Sequence, residues 1–223
     1  IAKMRLVKSD AEVDLMRRAC AAGAAAMADA MRFSLYVAHS EADVAARFEY
    51  AARLRGSAPG GAYVPVAAAG AHATAIHYMR NDAPIATGQK APLFLLDAGA
   101  RLHGYCSDVT RTWPLAGRFF PAQRRLYDAV RSVQRASIAR LDRAMARKEA
   151  LSLRALHYEA AGLMEEALCR LGFPASAASS VFPHSIGHHL GMDVHDGQGA
   201  DVADEPLVPG NIVTVEPGAY VRP

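Results

Sequence analysis

Cysteine is scarce in this chain: three residues, Cys20, Cys106 and Cys169, among 223. An odd count with no short pairing motif excludes a disulfide-stapled fold and fits a reducing compartment. Long apolar runs are missing too, and none reaches the roughly 18 residues that a membrane-spanning helix needs. No secretory leader pattern is read from Ile1 onward. No basic run is interleaved with aromatics, so the formal charge of +3 reads as Arg-rich solvated helix faces and not as a nucleic-acid surface. No block recurs at a period of roughly 20 to 50 residues, which excludes a solenoid.

What is present supports a packed core. Hydrophobic residues make up 52% and charged residues 21%, outside the disordered range. The length fits one or two domains of about 150 residues each. The expectation is one domain over residues 1–223, cut from something longer: Ile1 is not a start methionine, and Pro223 follows the last apolar run with nothing to close a fold.

Ser9 with Glu12 reads as a capping box, opening an Ala-rich helix to about Met31. Ser40 with Asp43 repeats the pattern and opens a second helix to about Leu54. Gly56, Pro59, Gly60 and Gly61 then break the chain. Strands are expected over residues 63–69, 76–78 and 92–96, the last ending at Asp97, and over residues 105–113 as its hairpin partner. Pro121 opens a helix to about Met145, and another covers about residues 151–171. The remainder is irregular or β, with an apolar run, residues 212–215, that ends at Glu216. The fold class is therefore α+β, an antiparallel sheet with helices on its outer face.

Three signals carry chemistry. Asp97 ends an apolar strand and Asp108 follows eleven residues later; on a hairpin the two lie side by side, and paired buried carboxylates repel unless a proton or a cation neutralises them. His184, His188, His189 and His195 crowd one Gly-rich stretch. His184 and His188 are four apart, but the Glu of a helical zinc-protease pair is absent and Gly187 and Gly191 disfavour helix. Glu216 ends a β run where burial without a cation is costly. Carboxylates with one imidazole suit two divalent ions, Mn, Co or Zn, better than a thiolate-rich structural zinc site. Two such ions hold a bridging water and polarise a carbonyl, the arrangement of two-metal hydrolases.

In this order, Ile76-His77-Tyr78 with Asn81-Asp82, Asp97-Ala98-Gly99, Asp108-Val109-Thr110-Arg111, the string from His184 to Asp196, and Val215-Glu216-Pro217-Gly218 resemble the pita-bread metallopeptidases. Within them the pattern is most similar to the Xaa-Pro aminopeptidases, including the mitochondrial aminopeptidase P3 type. The resemblance implies that Asp97 chelates one metal ion, that Asp108 bridges both, and that His188 is the imidazole ligand. Glu216 would bind metal and act as general base. His77 and His195 would contact substrate and stabilise the tetrahedral intermediate, His184 would face the substrate, and Tyr63 would line the pocket.

The expected reaction is removal of an N-terminal residue when proline is second, with two divalent ions, most of all Mn, as cofactors. An Xaa-Pro dipeptidase, a methionine aminopeptidase-like enzyme and a non-catalytic peptide- or protein-binding module stay open as alternatives. Expected partners are Xaa-Pro peptides, without nucleic acid or membrane, and a homodimer is among the expected assemblies. The expected location is intracellular, mitochondrial or cytoplasmic. The family has a fifth ligand, a second bridging Glu on a later strand, so the fold is expected to be C-terminally incomplete here. The stretch from Gly88 to Asp97 also reads as about three residues longer than usual, enough to displace Asp97.

Overall fold

A computed structural model describes residues 2–86, 91–197 and 202–222. Along the chain run α1 (Ala2–Leu6), α2 (Asp10–Tyr36), α3 (Glu41–Arg53), β1 (Val66–Ala69), β2 (Leu93–Ala98), β3 (Arg101–Leu102), β4 (Tyr105–Cys106), β5 (Val109–Pro114), α4 (Pro121–Arg147), α5 (Leu153–Arg170) and α6 (Ala178–Val181). These elements fall into two compact units.

The sheet unit holds Asp10–Phe119 and Leu190–Val194. In α2 the buried residues Met16, Ala19, Ala22, Gly23, Ala26, Met27, Ala30 and Ser34 recur at steps of three and four, which gives one helix face. The helix runs past the expected Met31 to Tyr36. No Gly or Pro interrupts it there, and Ser34 is engaged, its Oγ accepting from Trp113 Nε1 at 2.9 Å. In α3 the predicted capping box is present. Asp43 N donates to Ser40 Oγ at 3.2 Å and Ser40 N donates to Asp43 Oδ2 at 3.0 Å, satisfying donors that the first helical turn leaves open.

The sheet order is β1-β2-β5, antiparallel throughout. β2 alternates as its two-residue period demands. Phe94, Leu96 and Ala98 are fully buried in the core formed with α2 and α3, while Leu93, Leu95 and Asp97 stand on the opposite face. Burying Phe94 or Leu96 contributes on the order of 2 kcal/mol each.

Three strand expectations change. The strand expected over 63–69 begins only at Val66, after left-handed Gly61 and a proline that has no N–H to pair. The strand expected over 76–78 is a turn. His77 adopts φ 57°, a left-handed conformation that cannot continue a strand. The strand expected over 105–113 is split at Ser107 and Asp108: β4 pairs with β3, and β5 pairs with β2. Ser107 causes the break, donating from its backbone to Ala100 O at 2.8 Å and accepting from Ala100 N on its Oγ at 2.9 Å.

The helix-pair unit holds Ile1–Ser9, Phe120–His189 and His195–Arg222. Pro121 opens α4, where its missing N–H costs nothing. Ser152 caps α5, its Oγ accepting from Ala155 N at 3.2 Å. Val133 and Ala144 of α4 pack with Leu156, Ala160, Met164 and Leu168 of α5, and Ile186 closes this core. Within the same unit the N-terminal segment is tied down by charge. Lys8 Nζ lies 3.1 Å from Asp196 Oδ2, with both side chains 1% exposed, and Arg5 lies 2.7 Å from Asp196 Oδ1. Among the described residues no helix is long and apolar enough to cross a membrane, and all three cysteines are free thiols.

Candidate functional site

The sheet register sets the first group. Asp97 lies opposite Thr110 and Val66, and Ala98 lies opposite Val109. Asp108, one residue before β5, therefore falls on the Asp97 face. Both carboxylates converge on one hydroxyl: Tyr63 Oη is 2.5 Å from Asp97 Oδ1 and 2.7 Å from Asp108 Oδ1. A phenol has one proton, so a single hydrogen serves two anions. Burial first, and then the two carboxylates, push the Tyr63 phenol well above its ordinary value and keep it protonated. Residues 88–90 of the stretch expected to be long lie outside the described residues, and Asp97 itself is in strand register.

His77 stands apart from this group, exposed at the tip of the turn that follows a 3-10 segment, Gly70–Thr74. Its loop is fastened at two points. Asn81 mimics a strand neighbour, accepting from Ala67 N and donating to Pro65 O, both at 2.7 Å. The second point is Glu41, whose fully buried carboxylate receives donors from across the loop. Sequence reading missed Glu41, because an acid in the first turn of a helix is ordinarily an exposed dipole partner.

The second group lies in the helix-pair unit. Residues 186–189 and 213–216 run alongside each other, with Thr214 N donating to His188 O at 2.9 Å and Glu216 N donating to Ile186 O at 2.8 Å. Gly187 permits this approach, since a β-carbon there would lie 2.2 Å from Thr214 O. The pairing sets His188 Nε2 3.1 Å from Glu216 Oε1. His188 Nδ1 lies 3.0 Å from His189 O and so carries the ring proton. That leaves the Nε2 lone pair facing a carboxylate oxygen, and one proton or one cation has to lie between them. Thr214 Oγ1 donates to Glu216 Oε1 at 2.8 Å and accepts from His188 N at 2.9 Å. A hydroxyl inside an apolar β run was the only sequence signal for Thr214.

The His195 ring packs against His188 at 4.2 Å between centroids. His184 is held edge-on between Phe182 and Tyr220, at 5.2 and 5.4 Å. Its Nδ1 lies 2.9 Å from Ser185 O, and its buried Nε2 has no hydrogen-bond partner among the described residues.

Among the described residues no group of three or more His, Cys, Asp or Glu is gathered to hold a metal ion. The candidate ligands occur as two pairs, Asp97 with Asp108 and His188 with Glu216. Each pair has a donor geometry that a cation would satisfy: two carboxylates sharing one proton, and an imidazole lone pair against a carboxylate. Asp97 with Asp108 offers oxygen donors, and His188 with Glu216 offers an imidazole and a carboxylate; neither pair includes a thiolate, a chemistry that fits Mn, Co or Zn.

The profile described as Metallopeptidase family M24 matches residues 14–223. The chain is 38% identical over 221 residues to the mitochondrial intermediate cleaving peptidase 55 of Arabidopsis thaliana, covering 98% of this chain and 42% of that protein. It is 37% identical over 228 residues to Xaa-Pro aminopeptidase 3 of Mus musculus, covering 99% of this chain and 43% of the relative. Among solved structures, aminopeptidase P from E. coli in a low-pH form superposes with a TM-score of 0.87 at 29% identity, covering 100% of this chain and 50% of that one. This chain thus spans about half the length of the relatives it matches, and it shares the mixed helix-and-sheet pita-bread architecture.

Proposed function

The chain belongs to Metallopeptidase family M24, and from that premise we propose that the whole protein is a dimetal aminopeptidase that removes the first residue of peptides with proline second. The observation that carries the reading is the convergence of Asp97 and Asp108 on one oxygen, at 2.5 and 2.7 Å. Two carboxylates held that close call for a positive partner. Asp97, Asp108, His188 and Glu216 would be the protein's ligands to two divalent ions, with Mn the leading candidate. Bound divalent ions would supply Lewis acidity, polarising the scissile carbonyl and easing ionisation of water.

The chain's own residues supply the remaining chemistry. Glu216 is the general base, accepting the proton of the attacking water and passing it to the departing prolyl nitrogen. Thr214 fixes its orientation by donating to Oε1. His77 and His195 would each act on the substrate side, where an N–H donor stabilises developing negative charge. A prolyl amide has no N–H to grip, so the aromatic edges of Phe182, His184 and Tyr220 suit contact with its ring. Tyr63, held protonated, orients both Asp97 and Asp108.

The relatives are named for Xaa-Pro aminopeptidase and intermediate cleaving peptidase activities, which supports the substrate class. Three free thiols and the mitochondrial relative support an intracellular location, in mitochondria or cytoplasm. The test is the full-length protein with Mn and a matched pair of peptides, one with proline and one with alanine at the second position. The proline peptide should lose its first residue, the alanine peptide should stay intact, and Asp108→Ala should abolish turnover. Cleavage of the alanine peptide alone, or of neither, contradicts the reading.

A further inference from the structure

Glu41 is fully buried, with 0% of its surface exposed, and among the described residues its hydrogen-bond donors come from one loop. Oε1 accepts from Ala69 N and from His72 Nδ1, both at 2.9 Å. Oε2 accepts from the Tyr78 hydroxyl at 2.8 Å and from Ala83 N at 3.1 Å. A carboxylate offers about four lone-pair sites, and here four donors use them. The donors fall on either side of His77, and His72 stacks on Tyr78 at 4.8 Å across the turn. Glu41 N also donates to Ala83 O at 2.9 Å, so backbone and side chain grip the same segment.

An ion buried in this way is costly unless every site is satisfied. Burial by itself would raise the Glu41 pKa, but the four hydrogen bonds outweigh it and lower the value, so the group is ionised at neutral pH. A core of apolar residues would have been simpler to build. A closed ionic clamp instead fixes one loop geometry, including the left-handed turn at His77, φ 57°.

We propose that Glu41 is a positioning residue for His77, holding the 69–83 loop so that the imidazole meets the substrate in one orientation. This rests on the reading of His77 as a substrate-side residue. Glutamine at position 41 is nearly isosteric but sets an NH2 group against two donors, which opens the clamp on one side. Tyr78→Phe removes one donor and leaves the carboxylate in place.

The experiment is a double-mutant cycle in the full-length Mn-loaded protein, reading kcat and KM on an Xaa-Pro peptide for wild type, Glu41→Gln, His77→Ala and the double variant. Glu41→Gln should lower kcat/KM by about 10- to 100-fold, the scale set by misplacing a reacting group by about 1 Å. In the His77→Ala background the same change should cost less than about threefold, because residues acting through each other are not additive. Multiplicative losses, or an unchanged kcat/KM in Glu41→Gln, overturn the proposal. Where Glu41→Gln fails to fold, Tyr78→Phe takes its place in the cycle, with the same non-additivity expected. A wild type that cleaves no such peptide contradicts the functional reading alone. The positioning claim is then decided by the His77 imidazole resonances, which should shift in Tyr78→Phe and which refute it if they do not.

Discussion

A β-carbon at Gly99 would lie 2.0 Å from the Ser107 carbonyl oxygen and 2.8 Å from Tyr63 Cε1. The first contact is with backbone, so it cannot be relieved by turning a side chain. Gly99 thereby lets the Asp97 strand, the Asp108 loop and the Tyr63 ring meet. Gly99→Ala should weaken Mn binding by about 10- to 100-fold, the usual cost of disturbing groups that orient metal ligands. Far-UV circular dichroism should stay unchanged, and titration calorimetry on the full-length protein reads the affinity. An unaltered affinity would show that this close packing does not position the carboxylates.

At the same scale, the Asp97–Asp108 neighbourhood was legible because a two-residue period and a strand end are local signals. The Glu41 network was not legible. Its donors lie 28 to 42 residues away, and only tertiary structure brings them to one carboxylate. The Lys8–Asp196 ion pair, 188 residues apart, is hidden for the same reason.

Elements followed their terminal chemistry. The helix starts after Ser40 and at Pro121 could be read directly, because capping and proline preferences act within one turn. Short strands could not, since apolar content alone does not tell a strand from a turn held by distant partners. The sequence 76–78 looks extended, yet Glu41 and Asn81 fold it into a turn. The segments 186–189 and 213–216 are joined by two backbone bonds and the Thr214 hydroxyl, too few to leave a regular strand pattern. The Ser40 cap merits its own test, because it begins the helix that carries Glu41. Ser40→Ala should cost about 1 kcal/mol, measured by chemical denaturation of the full-length protein. A loss near zero would mean that packing of Val44 and Phe48 alone sets the start of α3.

For the whole molecule, the charge balance takes on a different meaning once the sites are placed. A net charge of +3 includes Asp97, Asp108 and Glu216 as ordinary acids, although each faces a proton donor or an imidazole lone pair in the structure. The ordered motifs pointed to the family that the profile matches over residues 14–223. Substrate choice and metal identity are questions for the whole protein, and this chain spans about half the length of the relatives it matches. The central claim is that Asp97, Asp108, His188 and Glu216 are metal ligands. The most direct test is equilibrium Mn binding to the full-length protein, compared among wild type, Asp108→Ala and Glu216→Ala. Wild type should take up two ions per chain, as a two-metal hydrolase requires, and each variant should take up fewer. A wild type that binds no Mn, or variants that bind as many ions as wild type, would contradict it.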